Sequence, residues 1–115
     1  MSFQKQLLLI IMTLLLSSIL NESNANQNDE KYPIPHLDDA KVFAQFTDEL
    51  PAVINYFTAH SEQEIINFYQ EKFGEASSSE MKRGRLTLYF NHNDKQLRVV
   101  ISKQSNKNQV DILLK

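Results

Sequence analysis

Cysteine is absent from the 115-residue chain, and only two glycines, Gly74 and Gly84, and three prolines occur in it. Without cysteine there is no disulfide to staple a small domain, no thiol nucleophile and no site for a lipid anchor. Two isolated glycines cannot build a Gly-rich phosphate-binding loop. Neither sign of charge dominates: the formal net charge is −2, which gives no support to general nucleic-acid binding, since that needs a dominant basic surface. Long apolar runs are equally scarce. The one present, Leu7 to Leu20, has 14 residues, short of the roughly 17 to 25 that span a bilayer as a helix.

That run follows "MSFQKQ" with its Lys5 and precedes Ser23-Asn24-Ala25. A charged start, a short apolar stretch and a small-x-small site are the parts of a secretory signal peptide. Residues 1–25 are therefore expected to be cleaved after Ala25, leaving no stable membrane anchor. The remainder, Asn26 to Lys115, has 90 residues, enough for one small domain. An exported eukaryotic domain of this size usually relies on disulfides, so a cysteine-free one points to the periplasm or exterior of a bacterium. Charge is unevenly placed along it. Asn26 to Glu71 sums to −7 and Lys72 to Lys115 to +5, making the domain a dipole.

Residues 26–36, "NQNDEKYPIPH", are polar, proline-punctuated and aperiodic, and are expected to form a flexible leader to a single domain over 37–115. "LDDAKVFAQF" fits a helix face through Leu37, Ala40 and Phe43 or a strand face through Val42, Ala44 and Phe46. The strand is preferred, because the turn-like "TDELP" leads from it into the β-branched and aromatic "AVINYFTA". Which face of the latter is buried stays open, with Ile54 and Tyr56 competing against Val53 and Phe57. A helix follows: Ser61 and Glu64 form a capping-box pattern, and Ile65, Ile66, Tyr69 and Phe73 recur on one face before Gly74.

"EASSSEMKRG" reads as a connecting loop, and "RLTLYFN", "QLRVVIS" and "QVDILLK" alternate with period two. Leu86, Leu88, Phe90, Leu97, Val99, Ile101, Val110, Ile112 and Leu114 share one face of the resulting meander. The expected fold is α+β, ββαβββ, with a single helix packed on one face of a mainly antiparallel sheet of about five strands.

His60, Glu62 and Glu64 lie within five positions, which raises the question of an acid/base or metal site. The cap accounts for Glu64, no third ligand is nearby in sequence, and His36 and His92 are far away in the chain. No catalytic, metal or cofactor residue is assigned. The opposite parity of the meander is richer: Arg85, Thr87 and Tyr89, then Arg98 and Val100, then Asp111 and Leu113. A mixture of Arg, Tyr and aliphatic residues suits protein interfaces and anionic or sugar ligands. Arg85, Tyr89, Arg98, Val100 and Leu113 are the candidate binding residues, with "KRGR" at residues 82–85 adding positive charge beside them.

The signal peptide, the "YPIPHLDDA" entry, the strand ending "YFT", the helix "SEQEIINFYQEKFG" and the strand "GRLTLYF" together resemble a broad class of small, mostly uncharacterised exported bacterial domains. In that class a strand leads into a capped Phe-Tyr helix and then a β-meander. This chain departs in having Asp39, where many carry Gly, before Ala40, and in lacking the lipoprotein cysteine of some members. The resemblance implies a fold and no catalytic residues. The functional expectation is a small exported binding or accessory module that engages an envelope protein, or a small anionic or sugar ligand, through its open sheet face. The alternative is a small hydrolase or isomerase using a histidine with a carboxylate such as Asp94.

Overall fold

The computed structural model describes residues 30–115. The expected signal peptide, its cleavage point and the first residues of the leader lie outside them. The described residues form β1 (Lys41–Phe46), β2 (Ala52–Thr58), α1 (Glu62–Phe73), β3 (Ser78–Lys82), β4 (Arg85–His92), β5 (Lys95–Gln104) and β6 (Lys107–Leu114). All six strands belong to one antiparallel sheet in the order β1-β2-β6-β5-β4-β3. The five-stranded ββαβββ layout is thus corrected to ββαββββ, a mostly sheet structure with one short helix among the described residues.

The additional strand is β3, which lies in the stretch expected to be a loop. Every one of its residues is exposed, so neither face imposes the apolar alternation by which a half-buried strand is recognised. It exists because its partner β4 and a tight turn hold it. Lys82 faces Arg85 across Arg83-Gly84, and both turn residues have positive φ, 54° and 75°, the type I′ pattern whose twist matches a hairpin. Asn93-Asp94 joins β4 to β5 with the same sign at both positions, φ 50° and 63°.

Tertiary burial chooses between the two faces of β2. Ala52, Ile54, Tyr56 and Thr58 are buried while Val53, Asn55 and Phe57 are half-buried. They join Leu88, Phe90, Leu97, Val99, Ile101, Val110 and Ile112 on the inner face, with Leu86 and Leu114 packed at its margin. β1 is a strand, as preferred, with a bulge between Val42 and Ala44.

Helix α1 starts at the Ser61 capping box, in which the Ser61 side chain accepts from the Glu64 N–H and the Glu64 carboxylate accepts from the Ser61 N–H. Ile65 and Tyr69 are fully buried against the inner face, and Phe73 meets Phe90 with ring centroids 6.0 Å apart. Gly74 ends the helix at φ 83°, ψ −169°, an extended conformation reserved for glycine. Twelve residues of helix cover about 18 Å. The helix runs from the end of β2 to Phe73 against β4, lies over the core as its lid, and leaves residues 74–77 to complete the crossing to β3 at the far edge.

Part of the expected leader is also held to the domain. Ile34 and Leu37 are buried, and the Tyr32 N–H donates to the Thr47 carbonyl at 3.0 Å. The Tyr69 hydroxyl donates to the Pro35 carbonyl at 2.9 Å and lies 2.7 Å from the Tyr56 hydroxyl. Burial pushes both phenols up, Tyr69 far above the ordinary tyrosine range, so the relay is neutral and pins the entry segment to β2 and α1.

Candidate functional site

The helix and entry segment cover one face of the sheet and leave the other open. On that outer face, cross-strand register decides which side chains meet. Tyr89 stands opposite Arg98 and Thr87 opposite Val100. Together with Lys82, Arg83 and Arg85 they line an open depression of about 490 Å³. Arg85, Tyr89, Arg98 and Val100 are thereby brought together. Leu113 lies on the same face, between Arg98 and Val53 in register, and stays outside the depression. Lys82, Arg83 and Thr87 complete the lining. The "KRGR" run signalled the first two, and strand parity signalled the third.

The lining carries charge of one sign, with two acids at its margin. Four cations line the depression, and among the described residues none of them has a carboxylate within 4.0 Å, because every ion pair there belongs to His60. The acids on this face are Glu80, opposite Thr87, and Asp111, opposite Val100. Asp111 is engaged, accepting from the Asn55 amide at 2.6 Å and from the Gln109 amide at 3.0 Å. The floor of Thr87 and Val100 is half-buried. Arginine forks around such a floor give an anion bidentate donors, with a tyrosine beside them to pack on a ring or donate a hydrogen bond.

His60, which sequence spacing left without a third ligand nearby, gathers carboxylates from two elements. His60, at the end of β2, does face Glu64: its Nδ1–H donates to Oε2 at 3.1 Å. Its Nε2 lies 3.4 Å from Asp38 and 3.7 Å from Asp39, both in the entry segment. Hydrogen bonding to Glu64, reinforced by Asp38 and Asp39, outweighs desolvation and holds the His60 pKa above the usual histidine range. For Asp39, partial burial works against the charged form. Hydrogen bonds from the Thr58 hydroxyl and Ala59 N–H, with the His60 charge, outweigh it and lower the pKa. The Ser61 N–H, then His60, lower that of Glu64.

Asp38, Asp39 and His60 each offer one ligand atom, all within 4.8 Å of one another, and are the described residues placed to share a cation. In the present arrangement they form a clasp between the entry segment and the start of α1. His92 contacts Phe73 edge-on and the Asn93 amide at 3.1 Å, at the opposite end of the sheet from His60. His36 packs on the Tyr56 ring. The three histidines do not converge.

Comparison with protein-family models, with curated proteins and with solved structures returns no match to this chain. The site has to be read from its own chemistry.

Proposed function

We propose that this protein is a non-enzymatic binding or accessory module, exported to the bacterial periplasm or exterior, that takes an anionic or sugar ligand on the outer face of its sheet. The observation that carries the reading is the depression lined by Lys82, Arg83, Arg85, Thr87, Tyr89, Arg98 and Val100, with four cations and no acid in its wall. The export assignment rests on the N-terminal pattern of residues 1–25 and on the resemblance to small exported domains. Titration of the protein with a sulfated disaccharide, followed by amide chemical shifts, tests the reading. Shifts should cluster on β4 and β5 around Tyr89 and Arg98. The Arg85→Gln/Arg98→Gln variant should keep the parental melting temperature and weaken binding roughly tenfold or more, each lost fork removing charge-assisted hydrogen bonds. Undiminished binding by that variant overturns the assignment.

A hydrolase or isomerase reading draws on one observation, the contact of His60 with three carboxylates. It ranks second because Glu64 is engaged by the Ser61 N–H and Asp39 by Thr58 and Ala59, leaving neither free to serve as a base. Turnover of an activated ester that disappears in His60→Ala would reverse the ranking.

A further inference from the structure

The row of residues at the turn end of the outer face can be followed across all six strands by register. Lys41 pairs with Phe57, Phe57 with Gln109, Gln109 with Ser102, Ser102 with Arg85, and Arg85 with Lys82. Both ends of this row are cationic and its middle is neutral. At the β3–β4 end stand Lys82, Arg83 and Arg85. At the β1–β2 end stand Lys41 and Lys107, the latter with its ammonium 4.5 Å above the Phe57 ring. These two lysines line a second depression of about 350 Å³, which also takes in Asp39. Among the described residues none of these cations has a carboxylate within 4.0 Å. Five strand spacings of about 4.8 Å put Lys41 and Lys82 about 24 Å apart at the two edges, and the inner members of the clusters, Lys107 on β6 and Arg85 on β4, are two spacings, about 10 Å, apart.

We infer that the ligand of the outer face is a linear anionic polysaccharide that lies across the strands from one cluster to the other. The inference rests on the proposed anion-binding function and names its ligand class. A small dianion fills one cluster and leaves the second unpartnered, whereas a chain with a charge on successive units meets both. The sheet's twist rotates each strand by roughly 20 to 25° relative to its neighbour, so the row winds, and a flexible chain follows it where a rigid small ligand does not. Between the clusters the Gln109 amide nitrogen is held by Asp111, which leaves its carbonyl oxygen to accept from a sugar hydroxyl. A nucleic acid is less well served, because it needs free aromatic faces on which bases stack. Phe57 is engaged by Phe43, at 4.8 Å between centroids, and by Lys107; the exposed rings of Phe43 and Phe46 lie on the β1 edge, and the basic depression holds one ring, Tyr89.

The test is the affinity of the protein for sulfated oligosaccharides from disaccharide to dodecasaccharide, at several salt concentrations, beside the Lys41→Gln/Lys107→Gln variant. The expected result is an affinity that rises with chain length and then levels. The variant should bind the disaccharide like the parent, lose roughly tenfold on the dodecasaccharide, and show a shallower salt dependence, since fewer ions are released. Amide shifts at Lys41, Phe57 and Lys107 that appear with the long chain and not the short one place it physically. Affinity independent of length overturns the inference while leaving the anion site standing. Absence of binding at every length overturns both. Tighter binding of a single-stranded oligonucleotide of equal charge overturns the choice of polysaccharide.

Discussion

Both ring nitrogens of His60 face carboxylates, one on α1 and two in the entry segment, so its charged form is the one the fold prefers. Because its folded pKa is raised, this contribution to stability is complete below the ordinary histidine value of about 6.5. It is lost as pH rises through the folded value above that. Asp39 and Glu64 have lowered values, so theirs is complete above about 4 to 4.5 and lost as pH falls through the folded values. Melting temperature should therefore be highest between about pH 5 and 6.5 and fall on either side. His60→Gln should flatten the upper limb and leave the acid limb largely in place. An identical upper limb in the variant would show that the clasp carries no stability. The Ser61–Glu64 half of this cluster was legible from spacing alone. The Asp38 and Asp39 half was not, since it depends on Thr58 and Ala59 capturing a carboxylate some twenty residues earlier in the chain.

Among the elements, those with one dry face announced themselves. The α1 stripe and the alternating residues of β4, β5 and β6 could be read directly because burial is what imposes period. β2 was recognisable as a strand but not its orientation, as both parities carry large apolar residues. β3 was invisible for the reason that makes it an edge: solvent lies on both sides and only the hairpin partner specifies it. Its turn offers a clean test. A methyl group added at Gly84 meets nothing within 4 Å, so Gly84→Ala should cost only the left-handed backbone penalty, about 1 to 2 kcal/mol. Thermal unfolding would register it, with amide exchange rising first in β3. A neutral substitution would mean that β3 does not unfold with the rest of the sheet. The candidate site was legible to the same extent as its strands. Parity gave Arg85, Tyr89, Arg98 and Val100, whereas Lys41 and Lys107 joined that face only through the pairing of β2 with β6.

At the scale of the molecule, β2–β6 is the seam. On one side lies the β1–β2 hairpin and on the other the β3 to β6 meander, and their contact ties Asn55 to Asp111, 56 positions apart. Ile112, 1% exposed at the centre of this seam, should cost about 2 to 5 kcal/mol on replacement by alanine. Amide exchange should then accelerate together in β1–β2 and in β3–β5; acceleration on one side only would mean the halves are independent. The same seam fixes a timetable. Among the six strands β6 comes last in chain order, and until it is in place the inner edge of β2 has nothing to pair with. Closing so distant a contact is slow compared with forming local hairpins. The β1–β2 hairpin and the β3–β5 meander can thus form early as separate pieces, and they become one sheet only when β6 docks between them.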